Sequence, residues 1–172
     1  MANSNNQTKT DAKSSDINIP NYIAMESAIG SVLLIASKSL AHKYIFTGDY
    51  EWMIIPPIAT KQFVLFRNKN NEPIAFVSFA SINDEVEKRL LGGSKKLAPA
   101  DWSSGKKFYI IDVISPFAPA SQISKELSEN QFKNKEINLL KPSEDKKTLV
   151  TASLKEFLKE LNSQNNDTKK TT

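Results

Sequence analysis

The chain has 172 residues, and its 23 Lys and Arg exceed its 19 Asp and Glu to give a formal charge of +4. This mild excess falls short of the dense positive charge that nucleic-acid binding needs, and Arg67 and Arg89 are the only arginines. The absence of cysteine excludes disulfides, thiolate metal sites and cysteine nucleophiles, and a single histidine makes a zinc site implausible.

Polar segments flank one folding unit. Residues 1–16 and 163–172 are rich in Asn, Ser, Thr and Lys, so they cannot bury enough apolar surface to offset the entropy of ordering. We therefore expect two disordered tails around a single domain over residues 17–162. The sequence shows no secretory signal and no apolar run near the roughly 20 residues that span a bilayer. A cytoplasmic protein without stable membrane insertion is expected.

The first half of the chain predicts a helix, a hairpin and a second helix. Apolar residues at helical spacing predict a first helix over about 22–43, with His42 near its C-terminal end. Two apolar, aromatic-rich segments, 62–67 and 73–79, are joined by a polar turn and predict a β-hairpin. Residues 84–91 predict a short helix.

The second half alternates strands and helices. Residues 108–115 (FYIIDVIS) form the clearest buried strand. Helices are predicted over 121–132 and 154–161, and strands over 137–141 and 148–153. The mixed order of elements predicts an α+β or α/β fold, in which helices pack on a sheet.

Two residues have the chemistry of an acid–base site. Asp112 stands in the middle of the predicted buried strand, where a carboxylate must be paired, hydrogen-bonded or protonated. His42 is the sole imidazole, a side chain type that exchanges protons near neutral pH. A base and a carboxylate that orients it are the equipment of general acid–base catalysis. A structural carboxylate and a surface histidine at a helix end remain the open alternative.

Four lysines lie close in sequence to the predicted strand that carries Asp112. Lys95, Lys96, Lys106 and Lys107 flank a turn at 101–105. Clustered lysines either bind an acidic partner or form a solvated face, and the sequence leaves both possibilities open.

The chain also carries motifs at a fixed spacing. Residues 101–105 (DWSSG) are followed, after six residues, by Asp112 and then by 114–117 (ISPF). This pattern resembles the D-W-[ST]-S-G, I-D and I-A-P-F-G motifs of the RTX toxin-activating lysine acyltransferases, the hemolysin-activating proteins of Gram-negative bacteria, with Ala118 in place of the last glycine. Three further segments fall on the family's P-V-A-Y-x-S-W-A, L-G-x-V and S-P-L-H motifs: 73–80 (PIAFVSFA), 29–32 (IGSV) and 39–42 (SLAH).

The resemblance implies a fold similar to GNAT-type acyltransferases, with a mixed, mostly antiparallel central sheet flanked by helices. It implies transfer of a fatty acyl chain from acyl-carrier protein to the ε-amine of internal lysines of an RTX protoxin, with no bound cofactor. His42 and Asp112 fall on the family's catalytic pair, and Ser39 falls on a serine also implicated there. The resemblance further implies a cytoplasmic homodimer. The lysine group would then face the acidic carrier protein.

In this hypothesis His42 takes a proton from the acceptor lysine as its amine attacks the thioester, and Asp112 orients the imidazole. Direct transfer is favoured, and a route through acyl-Ser39 stays open. At three positions where the family typically has tryptophan, this chain has Leu34, Phe79 and Tyr109. A non-catalytic relative that binds the protoxin is therefore one alternative. A GNAT-like enzyme that uses acyl-coenzyme A on another amine is a second, disfavoured because no Gly-rich pyrophosphate loop is visible.

Overall fold

Five β-strands form one sheet, and their spatial order β1-β2-β3-β4-β5 follows their order along the chain. The computed structural model describes residues 20–94 and 96–160. Neighbouring strands are antiparallel except β3 and β4, which run parallel. The sheet is therefore mixed and mostly antiparallel, as predicted. The strands are β1 (Phe63–Arg67), β2 (Pro73–Ile82), β3 (Lys107–Ile114), β4 (Ile137–Pro142) and β5 (Leu149–Ser153).

Six helices accompany the sheet in an α+β fold, which is consistent with a GNAT-like architecture. They are α1 (Pro20–Ala36), α2 (Tyr50–Met53), α3 (Ile55–Ala59), α4 (Asp84–Leu91), α5 (Ala120–Glu126) and α6 over residues 154–160. A π-helical turn, Leu127–Gln131, extends α5, and 3-10 turns occur at Thr47–Asp49 and Pro99–Trp102. In the described parts of the chain, no helix has the length and apolar character that crossing a membrane requires.

Both faces of the sheet are covered by apolar clusters. Alternate residues of β2 point to opposite faces, because side chains alternate along a strand. Val77 belongs to a cluster with residues of α5 and α6, whereas Phe76 packs with residues of α1 and α3. A third cluster surrounds Trp102 and includes residues of α4 and the first half of β3. Burial of these apolar surfaces is the main driving force for the fold.

The predicted first helix over 22–43 is too long, because α1 ends at Ala36. Just beyond that residue, backbone N–H groups donate to carbonyls three residues back and no longer four. The Ser37 hydroxyl also donates to the Leu34 carbonyl, at 2.7 Å. Serine hydroxyls compete with the helix for backbone groups in this way. Leu40, which the periodicity placed on the buried face, is 85% exposed. His42 therefore lies in a loop over residues 37–46 and not at a helix end.

Most other predicted elements are confirmed, with small shifts at their ends. The hairpin, α4, β3, β4 and β5 all occur where the sequence predicts them, and α5 with its π-helical turn covers the predicted helix over 121–132. The short helices between residues 47 and 59 were not predicted, since each is shorter than the window in which periodicity is visible. The predicted tails, 1–16 and 163–172, lie outside the described residues, so the limits of the single domain stay a prediction.

We expect Gly105→Ala to destabilise the protein strongly. A Cβ atom at Gly105 would lie 2.2 Å from the Ile82 carbonyl oxygen, which belongs to the backbone and cannot turn aside. Overpacking of this kind costs about 1–3 kcal/mol of unfolding free energy, and a backbone collision belongs at the upper end.

Gly30→Ala is the matched control, because a Cβ at Gly30 meets nothing within 4 Å and the residue lies inside α1. It should raise the free energy of unfolding by up to about 1 kcal/mol through helix propensity. Urea unfolding of both variants checks the pair, and equal stabilities would contradict the packing described for Gly105.

Candidate active site

The loop over residues 37–46 carries a serine and the histidine in contact. The backbone N–H of His42 donates to the Ser39 carbonyl at 3.1 Å, which closes a turn between the two residues. The same turn brings Ser39 Oγ within 2.8 Å of His42 Nδ1. Ser39 is buried, and the His42 side chain is only 14% exposed. The loop therefore holds both groups in a fixed, partly dry position.

A β-bulge in β3 determines where Asp112 lies. Ser78 of β2 is opposite Asp112, but the next residue, Phe79, is opposite Ile110, so Ile111 is an extra residue on β3. Cross-strand partners share a face of the sheet, and Ser78 shares its face with Phe76 in the cluster of α1. The bulge thus moves Asp112 to the face of α1 and the loop 37–46. Bulges commonly redirect side chains next to active sites.

Asp112 and His42 meet although they are 70 residues apart. His42 Nε2 lies 3.1 Å from Asp112 Oδ1, which also accepts the backbone N–H of Val113 at 2.9 Å. An ionised carboxylate can only accept hydrogen bonds, so this geometry assigns the proton to Nε2. The lone pair of Nδ1 then faces the Ser39 hydroxyl. Ser39, His42 and Asp112 thus form a chain of three groups that can carry a proton from Ser39 to the imidazole.

A cavity of about 710 Å³ begins at this chain of groups. His42, Asp112 and Trp52 line it on the face of α1, while Ile123 and Phe157 line it from the opposite face. The cavity therefore crosses the sheet. It also has residues of β3 and β4 in its wall, among them Ile110, Ile111, Leu139 and Leu140.

The gap that the cavity uses lies between the two parallel strands. β3 and β4 pair only at Phe108 with Ile137 and at Tyr109 with Asn138. Beyond these two pairs the strands are no longer bonded to each other, so their backbone donors and acceptors face the opening. An extended molecule with an apolar tail and amide groups fits such an opening chemically.

Polar atoms without partners concentrate at this site. Among the described residues, three buried side-chain atoms have no hydrogen-bond partner: Ser78 Oγ, Trp102 Nε1 and Asp112 Oδ2. Asp112 and Trp102 line the cavity, and Ser78 is the cross-strand partner of Asp112. Buried polar groups are normally paired, so an unpaired group calls for an explanation such as a ligand.

The motif at 101–105 is a structural clamp whose role the sequence did not reveal. Gln62 Nε2 donates to the Trp102 carbonyl at 2.8 Å, and Ser103 Oγ donates to Gln62 Oε1 at 3.3 Å. Asp101 accepts the backbone N–H of Ala98 and forms an ion pair with Arg89 at 2.7 Å. These contacts fix Trp102 against the cavity. The motif itself was the signal that could have identified Trp102, whereas the contact of Gln62 with it is visible only in the structure.

The four predicted partner-binding lysines lie in different surroundings. Lys96 sits over the ring of Trp52, 5.0 Å from its centroid, which places a positive charge beside the cavity wall. Lys106 is exposed, and Lys95 lies outside the described residues. Lys107 is paired with Glu87 and Asp84, and hydrogen bonds to these carboxylates raise the pKa of Lys107.

The three residues that replace the family's tryptophans do not line the cavity. Leu34 is 64% exposed on α1. Phe79 packs edge-on against Phe132, and the hydroxyl of Tyr109 donates to Glu87, which helps to lower the pKa of that carboxyl after the larger effect of Lys107. Over residues 20–94 and 96–160, no three His, Cys, Asp or Glu side chains lie together in a way that could hold a metal ion.

Named relatives of this chain are lysine acyltransferases. It is 28% identical over 108 residues to the lysine-acyltransferase RtxC of Vibrio cholerae serotype O1, an alignment that covers 63% of this chain and 71% of the relative. It is 31% identical over 101 residues to the protein-lysine myristoyltransferase RtxC of Kingella kingae, covering 59% of this chain and 60% of that protein.

A third relative is the RTX-I toxin-activating lysine-acyltransferase ApxIC of Actinobacillus pleuropneumoniae, 35% identical over 77 residues, or 45% of this chain and 44% of the relative. The sequence profile of the RTX toxin acyltransferase family matches residues 21–155, which include Ser39, His42, Trp102 and Asp112. The chain belongs to the RTX toxin acyltransferase family and is an acyltransferase.

Proposed function

We propose that this chain transfers a fatty acyl chain from acyl-carrier protein to the ε-amine of internal lysines of an RTX protoxin. The observation that carries the proposal is the cavity through the sheet, which joins His42 and Asp112 to a largely apolar interior. Relatives named as a protein-lysine myristoyltransferase and as an RTX-I toxin-activating lysine-acyltransferase support a fatty acyl group and a protein lysine as the groups that react. The cytoplasmic location and the homodimer stay predictions.

The apolar half of the cavity suits a fatty acyl tail. Ile123, Leu127 and Phe157 line it from the face of α5 and α6. Each CH₂ group that leaves water for such surroundings contributes about 0.8 kcal/mol, so a long chain can bind without any polar contact. The unpaired backbone edges of β3 and β4 are suited to the amide groups of the carrier's pantetheine arm, in the manner of an added strand.

The polar end of the cavity suits the transfer step. A lysine amine, with an ordinary pKa of about 10.4, is mostly protonated at neutral pH and must lose a proton before it attacks. In direct transfer the ammonium loses its first proton to solvent, and the neutral amine nitrogen bonds to the acyl carbon. The carbon–sulfur bond breaks, and the second proton that the nitrogen loses passes by way of His42 Nδ1 to the leaving thiolate. Asp112 holds the Nε2 proton and stabilises the imidazolium.

The contact between Ser39 and His42 also supports a two-step route. Ser39 Oγ, 2.8 Å from Nδ1, can attack the thioester while its proton moves to His42, which forms an acyl-Ser39 ester and releases the thiol. The neutral lysine amine then attacks the ester carbon, the bond from that carbon to Ser39 Oγ breaks, and the amine's proton passes by way of His42 to Ser39 Oγ. Both routes use the same three groups, and they differ in whether Ser39 becomes covalently bound.

We expect His42→Ala to lower the rate of acyl transfer by at least about 100-fold, because general-base catalysis contributes about 10²–10⁴-fold. The assay mixes the full chain with carrier protein loaded with acyl chains of several lengths and an RTX protoxin. Intact-protein mass spectrometry then measures the mass gained by the protoxin. Asp112→Asn should lose activity by a comparable amount, since an amide cannot stabilise the imidazolium.

Ser39→Ala separates the two routes. If acyl-Ser39 forms, Ser39→Ala should lower the rate of acyl transfer as much as His42→Ala does. If transfer is direct, the rate should fall only about tenfold or less. Ser37→Ala removes a neighbouring loop hydroxyl that contacts only the Leu34 carbonyl, and it should keep wild-type activity. Full activity of His42→Ala, or no transfer by the wild-type chain from any donor, would overturn the proposed function.

We further expect two lysines, Lys96 beside the cavity wall and the exposed Lys106, to steer the acidic carrier protein. Lys96→Gln and Lys106→Gln should each lower kcat/KM for the acyl carrier at low salt, and the difference from wild type should shrink as salt screens the charges. Lys107 should attract the carrier protein less strongly, because its charge is already paired with those of Glu87 and Asp84.

Lys69→Gln is the matched control for charge. It removes the same charge from the turn between β1 and β2, and neither of these strands borders the opening between β3 and β4. Kinetics between about 20 and 500 mM salt check the proposal, a range over which the screening length falls several-fold. Equal salt dependence in all three variants would contradict a steering role for Lys96 and Lys106.

A further inference from the structure

The two tryptophans of the chain differ in how their indole N–H groups are used. Both line the cavity. Trp52 Nε1 donates to Asp49 Oδ1 at 3.1 Å, so its hydrogen bond is made within the protein. Trp102 is 1% exposed, and its Nε1 has no partner among the described residues. A buried indole N–H usually has a partner, so Trp102 carries a donor that residues 20–94 and 96–160 leave unused.

Trp102 cannot readily turn to find a partner elsewhere. Its carbonyl accepts from Gln62 Nε2 at 2.8 Å, and the neighbouring Gly105 packs directly on the Ile82 carbonyl. Its ring is enclosed by Leu90, Leu97 and other members of its cluster. The unused donor is therefore held in place by contacts on several sides.

The distribution of polar atoms in the cavity defines what this donor can meet. Trp102, Asp112 and His42 belong to the face of the sheet on which α1 and α4 pack. On the other face Ile123, Leu127 and Phe157 offer no side-chain hydrogen bond, and Ser124 of α5 contributes a hydroxyl to a wall that is otherwise apolar there. A fatty acyl donor lying across the sheet with its tail among these apolar residues would place its carbonyl groups on the side of Trp102.

We propose that Trp102 Nε1–H donates a hydrogen bond to a carbonyl oxygen of the bound acyl donor, either the thioester carbonyl or an amide carbonyl of the pantetheine arm. The inference rests on the proposed function, since it names a further donor-binding residue of that reaction. A bond to the thioester carbonyl strengthens as negative charge develops on the oxygen during attack, whereas a bond to an arm amide contributes equally before and during the reaction.

The test replaces Trp102 by β-(3-benzothienyl)alanine, which keeps the shape of the ring and removes only the N–H. Transfer by this variant is expected to fall about tenfold in kcat/KM, as the loss of one hydrogen bond to substrate predicts. A fall in kcat identifies the thioester carbonyl, and a rise in KM alone identifies an arm amide. Trp102→Phe, with thermal unfolding measured alongside, provides a second variant that needs no modified residue.

The NMR signal of the Trp102 indole N–H distinguishes a bond to the donor from a purely structural role, because only the bond would shift the signal when the donor binds. The ¹⁵N-labelled chain has two indole resonances, because tryptophan occurs at only two positions of the sequence, and Trp52→Phe assigns them. Titration with myristoyl-carrier protein should shift the Trp102 indole proton downfield, as hydrogen bonding does. Titration with the unacylated carrier should do the same if the acceptor is an arm amide and leave the proton in place if it is the thioester.

The outcomes separate this inference from the proposed function. Wild-type transfer together with an unshifted Trp102 resonance and an undiminished benzothienyl variant would overturn the role of Trp102 and leave the proposed function standing. Absence of wild-type transfer would overturn both.

Discussion

The pairing of β3 with β4 lasts for only two residue pairs, and the candidate site depends on where it stops. If the two parallel strands stayed bonded along their length, the sheet would separate the face that carries His42 and Asp112 from the apolar face. Because they diverge, one cavity reaches both faces and connects a polar end to an apolar end. The backbone groups left unpaired at the opening would be costly without a partner, and a ligand with amide groups would satisfy them.

The bulge in β3 and the end of α1 bring Asp112 and His42 to this opening. Without the extra residue Ile111, strand alternation would turn Asp112 toward α5 and α6, away from the loop that carries His42. If α1 continued through residue 42, Ser39 and His42 would be part of its regular surface and not of a separate turn. Two local departures from regular structure therefore produce the contact between His42 Nε2 and Asp112 Oδ1.

Much of the fold follows from the sequence, because the spacing of apolar residues in a long segment indicates whether that segment is a helix or a strand. The strand 108–115, the hairpin and α4 were predicted from apolar runs and turn residues alone. The first helix was predicted to be too long because Leu40 continues the apolar spacing, although its side chain is exposed in the structure. Helices of four or five residues, such as α2 and α3, are too short for a helical spacing of apolar residues to be visible in the sequence.

The site was predicted in part. His42 and Asp112 could be named because an imidazole and a strand carboxylate are rare in this sequence, and the family resemblance added Ser39. Their contact across 70 residues could not be derived, since it depends on the bulge and the loop together. The cavity and the unused N–H of Trp102 could not be derived either, because strand divergence and side-chain pairing are set by tertiary packing.

Photo-crosslinking tests most directly the claim that the acyl chain lies in the cavity through the sheet. A carrier protein loaded with a fatty acyl chain bearing a diazirine at its far end is bound to the full chain, irradiated and digested, and the labelled peptides are identified by mass spectrometry. We expect labels on residues of α5, its π-helical turn and α6, such as Ile123, Leu127 and Phe157. Labels confined to the exposed apolar residues of the loop that carries His42, namely Leu40, Tyr44 and Phe46, would contradict it.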